Sequence, residues 1–355
     1  MRPTRSFGRC RLLCGALAAA LCIAMAPASA QTAVAGPEVV ATKKVAPGLY
    51  ELTVSASTGE VYVASVGRRN DESSKPAIHV LDPKTLETTR TIDVSSAAAF
   101  GIALNDRTQT LYTSNTRDGS ASAIDAKTGK ILNVIRVEDE PKAHLYRVVV
   151  DEDANRVYMS NVEGRVWVID GTSNTLAHRI DGIGEMTTGL WLDKAGNRLF
   201  AVNLRSEDVA VIDLGTREVV KRIPVGVQRP THVVYHAPSK TLFVGSQAAG
   251  NVSAIDVEAG RVVETIPAGA GTLGLALHPK TGHIYVANRQ DGTVTVIDAT
   301  TRKVVTTLEV GSMPNTVAID AGSGRVYVSN KARSGGRNAP PVDDPNGDTV
   351  TLIEP

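Results

Sequence analysis

The chain has 355 residues, with 38 lysines and arginines against 37 acidic residues, so its formal net charge is +1. This near balance excludes a whole-molecule attraction to nucleic acid, and any such binding needs a local basic patch. All three cysteines, Cys10, Cys14 and Cys22, lie in the first 30 residues. The rest of the sequence therefore contains no thiol, which excludes disulfides, thiolate nucleophiles and Cys–metal sites there.

Residues 1–30 have the pattern of a secretory signal peptide. Four arginines accompany an apolar run from Leu12 to Met25, and Ala28-Ser29-Ala30 follows as a small-residue cleavage site. A membrane anchor is the alternative interpretation, but the apolar run is short for a membrane span. We expect cleavage of residues 1–30 and export without stable membrane insertion. Loss of the four arginines would leave residues 31–355 with a net charge of −3.

The rest of the chain repeats one unit seven times. Each copy has short β-branched runs separated by turn residues, which predicts antiparallel strands. The copies align on an aromatic residue that recurs every 42 to 50 residues, a period typical of four-stranded propeller blades. This aromatic column consists of Tyr62, Tyr112, Tyr158, Phe200, Phe243, Tyr285 and Tyr327.

A second column ends a run such as Val-Trp-Val-Ile-Asp in every copy. Two columns in register predict an all-β fold, a seven-bladed β-propeller of four-stranded antiparallel blades. Because the second column stands at the start of a turn in every blade, we expect its carboxylates to accept backbone N–H bonds rather than to act in catalysis. This acidic column consists of Asp82, Asp125, Asp170, Asp213, Asp256, Asp298 and Glu354. Recurrent asparagines that end the second strand are expected to be structural too: Asn115, Asn161, Asn203, Asn288 and Asn330.

The two ends of the repeat region complement each other. The segment Val39–Pro47 resembles an outermost strand such as Lys303–Val310, whereas the last repeat ends at Pro355 without one. We therefore expect the N-terminal strand to complete the last blade and close the ring. Residues 31–355 then form a single domain, with a Gly/Pro/Asn-rich insertion at 331–348 that we expect to be a mobile loop.

Several motifs carry a resemblance to a known family. Tyr285-Val286-Ala287-Asn288 and Tyr327-Val328-Ser329-Asn330 are variants of the YVTN signature, and Val-Ile-Asp follows the first at the expected distance. The chain resembles the YVTN-repeat β-propellers and, through Thr108-Gln109-Thr110-Leu111 and Met186-Thr187-Thr188-Gly189-Leu190, the bacterial periplasmic YncE-type proteins. The resemblance implies the propeller fold and a periplasmic location. It also implies single-stranded DNA as a partner, because binding of such DNA has been attributed to that group.

The repetition fails at one position of the innermost strand, which we expect at the mouth of the central channel. A position that supports the fold tends to recur in every blade, whereas a binding surface differs between blades. In blade order the residues there are Glu51, Gly101, Arg147, Gly189, His232, Gly274 and Thr316. Period-two alternation further along the strand assigns a channel-facing side to Thr53, Ala103, Val149, Trp191, Val234, Ala276 and Ala318.

Aromatic residues precede the mouth position in the first three blades: Tyr50, Phe100 and Tyr146. They are interpreted either as flat faces for a ligand or as anchors between neighbouring loops. The loops that open on the same face carry Arg117, Arg205, Arg289 and Lys331. These cations, with Arg147, either line an anion-accepting funnel or belong to a solvated surface of mixed charge.

Metal and catalytic patterns are weak. A metal site could be built from His144 and His232 with Glu51 or Glu185, and calcium could be held by Asp343, Asp344, Asn346 and Asp348, but exposed polar loops explain both sets. The sequence has neither a nucleophile elbow nor a phosphate-binding glycine loop that opens a helix. We expect no catalytic residue, no metal and no cofactor.

The sequence thus predicts an exported, monomeric, non-enzymatic propeller in the periplasm. It would bind a macromolecule or small ligand at the channel mouth, and single-stranded DNA is the partner that the resemblance suggests. The alternative is a metal-dependent, lactonase-like hydrolase.

Overall fold

The computed structural model describes residues 36–68, 73–334 and 342–355. Their short β-branched runs form strands β1 (Glu38–Lys44) to β28 (Thr349–Glu354), grouped in seven antiparallel sheets of four. The predicted signal peptide lies outside the described residues, as do residues 335–341 of the predicted mobile loop. Cleavage of the first and mobility of the second stay predictions.

Each sheet is one blade, and its strands follow one another from the channel outward. Blade 1 contains β2 (Leu49–Val54), β3 (Val61–Ser65), β4 (Ala77–Leu81) and β5 (Thr88–Asp93). Blade 2 contains β6 (Gly101–Asn105), β7 (Thr110–Asn115), β8 (Ser120–Asp125) and β9 (Ile131–Ile135). Blade 3 contains β10 (Leu145–Asp151), β11 (Arg156–Asn161), β12 (Arg165–Asp170) and β13 (Thr175–Ile180).

The remaining blades continue the same order. Blade 4 contains β14 (Thr187–Asp193), β15 (Arg198–Asn203), β16 (Asp208–Asp213) and β17 (Glu218–Pro224). Blade 5 contains β18 (Pro230–His236), β19 (Thr241–Ser246), β20 (Asn251–Asp256) and β21 (Arg261–Pro267), with a 3-10 turn at Ala237–Ser239. Blade 6 contains β22 (Thr272–Leu277), β23 (His283–Asn288), β24 (Thr293–Asp298) and β25 (Val304–Glu309).

Blade 7 closes the ring. It contains β26 (Pro314–Ile319), β27 (Val326–Asn330) and β28, and the N-terminal strand β1 is its outermost strand. In the antiparallel pairing of β1 with β28, Lys44 lies opposite Thr349 and Glu38 opposite Glu354. This arrangement confirms the predicted fold and the predicted closure, which leaves the first and last blades joined.

The aromatic column fills the spaces between blades. Tyr62 is fully buried and packs with Ile102 and Leu104 of the next blade. The other six residues of the column are also buried, with exposed fractions from 0 to 4%. Large side chains are therefore placed where adjacent blades meet, as the repeat predicted.

The aspartates of the acidic column stabilise turns by accepting backbone hydrogen bonds, as predicted. The Oδ1 atom of Asp170 accepts hydrogen bonds from the backbone N–H groups of Thr172 and Ser173 at 2.9 and 2.8 Å. The same pattern recurs at Asp82, Asp125, Asp213 and Asp298, whereas Asp256 accepts one such bond, from the backbone N–H of Ala259. Glu354 differs, because its Oε1 instead accepts a 2.8 Å bond from the Arg325 Nε.

The predicted channel-facing side of the innermost strands needs a correction. Trp191 lies directly opposite Phe200 in the strand pairing, so both side chains are on the same face of their blade. Trp191 packs against the apolar cluster between blades 4 and 5 and the one between blades 5 and 6, and Val234 is fully buried in the same cluster as Phe243. Both faces of an innermost strand meet a neighbouring blade, and this face therefore contributes to the core between blades as well as to the channel.

No helix in the described part of the chain is long and apolar enough to cross a membrane.

Candidate functional site

Glycine alternates with larger side chains around the channel mouth. Blades 2, 4 and 6 have Gly101, Gly189 and Gly274 at the mouth position, and the blades between them have the side chains of Glu51, Arg147, His232 and Thr316. A β-carbon on Gly274 would lie 2.5 Å from the carbonyl oxygen of Asn315, and one on Gly189 would lie 2.8 Å from that of Thr231. The glycines therefore let the innermost strand of the next blade come close.

Serine hydroxyls also hold the innermost strand of the next blade, at blades 2 and 7. The Ser114 hydroxyl donates a 2.7 Å hydrogen bond to the carbonyl oxygen of Tyr146 in the next blade, and it accepts one from the N–H of Gly101. The Ser329 hydroxyl donates in the same way to the carbonyl oxygen of Tyr50, at 2.6 Å. The backbones of two mouth tyrosines are thus held by hydrogen bonds from adjacent blades.

These contacts build a pocket of about 400 Å³ at the mouth. It combines aromatic walls with three basic side chains, and it brings together seven of the residues predicted for the site. The lining residues are Tyr50, Glu51, Phe100, Gly101, Thr116, Arg117, His144, Tyr146, Arg289, Asn315 and Lys331. We call this cavity the mouth pocket.

Two of the basic side chains lie against the aromatic rings. The rings of Tyr50 and Phe100 meet edge to face, with centroids 4.6 Å apart. The Lys331 Nζ lies 3.0 Å from the centroid of the Tyr50 ring, and the Arg117 guanidinium carbon lies 5.2 Å from that of Phe100. One face of each ring is therefore occupied, whereas Tyr146 has 38% of its surface exposed. Of the three predicted ligand-facing aromatics, Tyr146 keeps the most open ring.

Burial changes the titration of two groups in the mouth pocket. It is the main cause that lowers the pKa of Lys331 to about 6, with Arg289 adding repulsion. Although 38% of its surface is exposed, desolvation among the mouth residues and the negative charge of Glu51 raise the pKa of Tyr146 to about 12. Near neutral pH the Lys331 amine is therefore mostly uncharged, and the Tyr146 phenol keeps its proton.

Glu51 of the pocket lining forms an ion pair with Arg147. The Nη1 of Arg147 lies 3.3 Å from the Oε2 of Glu51, which is only 7% exposed. Burial raises the pKa of Glu51, and the charge of Arg147 opposes this rise. The pair joins blade 1 to blade 3 past Gly101 of blade 2, whose missing side chain leaves this part of the mouth open.

His232 is a buried neutral histidine with one free ring nitrogen. It is 8% exposed, and its Nδ1 accepts a 3.2 Å hydrogen bond from the backbone N–H of Leu275. Burial, assisted by the charge of Arg147, holds its pKa well below the usual value. The hydrogen of the neutral ring is therefore on Nε2. Among the described residues, neither that Nε2 nor the Nε of Arg147 has a hydrogen-bond partner. Both donors are buried, so they are unsatisfied polar groups next to the channel mouth.

The other predicted site residues have different surroundings. The Thr316 hydroxyl is engaged with the Ser329 hydroxyl at 2.8 Å, so it supports the blade contact. Arg205 is exposed, its backbone N–H bonds to the carbonyl oxygen of Glu185, and it does not line the mouth pocket. Trp191 does not line it either, because it packs between blades.

Sequence reasoning missed Asn315 and Thr116. The Asn315 side chain accepts a 3.2 Å hydrogen bond from Arg289 and donates one of 3.3 Å to the carbonyl oxygen of Tyr50. It thereby orients one of the cations of the mouth pocket. Asn315 occupies in blade 7 the repeat position that Tyr50 occupies in blade 1, so a comparison of that column could have found it. The hydroxyl of Thr116 donates to the carbonyl oxygen of Leu145, a contact without a clear sequence signal.

Neither of the two metal sites considered from the sequence has a set of metal ligands among the described residues. Among the described residues, no group of three or more His, Cys, Asp or Glu side chains is placed to hold a metal ion. In the hypothetical calcium loop, Asp344 accepts bonds from the Ser312 hydroxyl and the Arg333 N–H. Asp348 accepts bonds from the N–H groups of Gly48 and Ala332. These carboxylates fasten the described ends of the insertion to the ring.

A larger concavity of about 590 Å³ lies where blades 3 and 4 meet. It is lined by three arginines, but its charged groups already pair with each other. Glu140 accepts hydrogen bonds from Arg179 at 2.6 Å and from the indole N–H of Trp167 at 3.0 Å, and Arg165 pairs with Asp181 at 2.9 Å. This internal pairing makes the concavity a weaker candidate than the mouth pocket, despite its size.

Comparisons with known proteins agree with the fold. A family model described as YNCE-like beta-propeller matches residues 17–332. Uncharacterized protein YncE of Escherichia coli (strain K12) is 31% identical over 239 residues, which are 64% of this chain and 67% of that protein. Uncharacterized protein YncE of Salmonella typhimurium (strain LT2) is 30% identical over 250 residues, 67% of this chain and 69% of that protein. With the closed ring of YVTN-type blades, these matches show that the chain belongs to the YNCE-like beta-propeller family.

Proposed function

We propose that this protein is an exported binding propeller that takes an anionic ligand into its mouth pocket. The observation that carries the proposal is the charge pattern of the pocket. Among the described residues, Arg117 and Arg289 form no ion pair with a carboxylate, although both line the cavity. The carboxylate of Glu51 in the same wall is already paired with Arg147. The pocket thus has a surplus of guanidinium donors, which suit carboxylate and phosphate groups.

Single-stranded DNA is the first ligand to test. The resemblance to YncE-type proteins suggests it, and the exposed ring of Tyr146 offers a surface on which one base could stack. A volume of about 400 Å³ is in the range of small-ligand sites, so the pocket would admit one nucleotide or a strand end rather than a long stretch. The protein would act as a periplasmic monomer without catalysis.

The test is the affinity of a short deoxythymidine oligonucleotide at increasing salt concentration. Two phosphate contacts, to Arg117 and Arg289, would give a slope of log affinity against log salt of about −1.4. The double variant Arg117→Gln/Arg289→Gln should flatten that slope. Arg261→Gln, which changes an exposed arginine on β21 far from the pocket lining, should leave it unchanged.

A stacking contact is tested separately with Tyr146→Ala, which should weaken binding by about 1–3 kcal/mol. Its backbone carbonyl, which accepts the Ser114 bond, is kept in this variant. Affinity that does not change with salt, or that is equal in the wild type and the double variant, would refute the nucleic-acid assignment.

A further inference from the structure

The side-chain amine of Lys331 has unusual surroundings for a surface-loop lysine. It lies against the Tyr50 ring, 3.0 Å from its centroid, and it lines the mouth pocket together with Arg117 and Arg289. Among the described residues no hydrogen bond or salt bridge of its Nζ is found. A lysine that is desolvated and placed beside other cations is the arrangement that makes an amine nucleophilic near neutral pH.

The charged groups around Lys331 act in the same direction. Burial and the positive charges of Arg289 and Arg117 disfavour its ammonium form, and only Asp348 favours it. Asp348 is itself occupied, because it accepts hydrogen bonds from the backbone N–H groups of Gly48 and Ala332. The pKa of Lys331, about 6, agrees with this geometry. Most of these amines would be uncharged at pH 7.5, compared with about one in a thousand for an ordinary lysine.

We propose that Lys331 is a nucleophilic amine that captures anionic carbonyl compounds, such as oxo acids, as an imine in the mouth pocket. Arg289 and Arg117 would hold the carboxylate or phosphate of the ligand, and its carbonyl carbon would lie toward Nζ. The inference rests on the proposed anion-binding function and deepens it, because it names a ligand class and a covalent step.

The step balances without an oxidant or reductant. The lone pair of Nζ attacks the carbonyl carbon, and the electrons of the C=O π bond move to oxygen. A proton passes from nitrogen to that oxygen through solvent, which gives a carbinolamine. The nitrogen lone pair then forms the C=N bond while the hydroxyl group leaves with a solvent proton as water, and the iminium returns its N–H proton to solvent. The net change replaces the C=O bond and the amine by one C=N bond and one water molecule.

The experiment is reductive trapping on the full chain. The protein is incubated with glyoxylate and sodium cyanoborohydride at pH 7, digested, and mapped by mass spectrometry. We expect Lys331 to be modified at least ten times faster than exposed lysines such as Lys84, with a rate that is half-maximal near pH 6. Arg289→Gln should slow labelling by glyoxylate more than labelling by uncharged propionaldehyde.

Two variants make the outcome decisive. Lys331→Arg keeps a long basic side chain but has no nucleophilic amine, so it should lose the fast label, whereas Lys84→Arg should retain it. Labelling spread over exposed lysines in proportion to their exposure would overturn the proposal. Oligonucleotide binding is measured on the same preparation. Absent binding with rapid Lys331 labelling would remove only the nucleic-acid assignment, and binding without that labelling would remove only the imine.

Discussion

Glu51 of blade 1 and Arg147 of blade 3 are joined across the channel mouth, with 3.3 Å between the carboxylate Oε2 and the guanidinium Nη1. The blade between them has Gly101 at the equivalent position, and a β-carbon there would collide with the backbone of Tyr146. Gly101 and the ion pair therefore both depend on close packing of the blades, which brings the two charged groups within contact distance. Both the stability of the ring and the charge of the mouth pocket depend on this pair.

The first prediction concerns the energy of that pair. Near pH 7, Arg147→Gln should destabilise the protein by about 1–3 kcal/mol, because it leaves the buried Glu51 carboxylate without its counter-charge. Glu51→Gln should have a smaller effect, because burial disfavours the charged form of Glu51. The double variant should lose less free energy of unfolding than the sum of the changes in the two single variants. Urea unfolding of the four proteins measures the coupling as a double-mutant cycle. Strict additivity would mean that the pair contributes nothing.

The second prediction concerns acid pH. Burial raises the pKa of Glu51 above 4.5, so the folded protein binds this proton more readily than the unfolded chain does. The contribution of Glu51 to stability is therefore fully present below pH 4.5 and is lost as the pH rises through its folded pKa. Relative to Glu51→Gln, the wild type should lose stability over that window. Thermal melts of both proteins from pH 4 upward measure the difference, and parallel curves would contradict the raised pKa.

The third prediction concerns Lys331 at neutral and alkaline pH. Its pKa falls from 10.5 to about 6 on folding, so between these values the unfolded chain binds more protons than the folded protein. Stability should therefore increase with pH across this window. Lys331→Met, which has an unbranched side chain without a charge, should be more stable than the wild type at pH 7. This difference in stability should become smaller toward pH 10. Melting temperatures of the two proteins across that range test it, and a gap that stays constant would show that Lys331 titrates normally.

The blades could be predicted from the sequence because each rests on local chemistry that recurs. Seven buried aromatic residues and a column of turn-forming aspartates give the strand register directly, and the incomplete last repeat predicts the closing strand. None of these features requires knowledge of distant contacts, since each blade packs on its neighbours.

The mouth was harder to predict, because it depends on contacts between blades. Arg117, Arg205 and Arg289 occupy equivalent loops, but only the first and last line the pocket. Arg117 lies over the Phe100 ring and Arg289 bonds to Asn315. The corresponding positions near Arg205 hold Thr188 and Thr231, which have neither a ring nor an amide and are bonded to each other. Repeat position alone does not reveal which loops have a partner.

The last prediction compares two tyrosines of the aromatic column. Tyr285 and Tyr327 are both fully buried, but among the described residues the Tyr285 hydroxyl has no partner, whereas the Tyr327 hydroxyl donates a 2.8 Å bond to the carbonyl oxygen of Pro83. Tyr285→Phe should therefore change the free energy of unfolding by less than about 0.5 kcal/mol. Any change should be toward higher stability, because the variant lacks an unsatisfied polar group. Tyr327→Phe should cost about 0.5–1.5 kcal/mol of stability, because it removes the hydrogen bond to the partly buried carbonyl of Pro83.

Truncation gives the reference scale for both positions. Tyr285→Ala should cost about 3–5 kcal/mol, because it empties a packed space between blades 6 and 7. Urea denaturation of the wild type and the three variants provides the measurement. Equal losses for the two phenylalanine variants would mean that the Tyr285 hydroxyl has a partner such as an ordered water molecule. The column would then be stabilised at both positions by polar contacts as well as by packing.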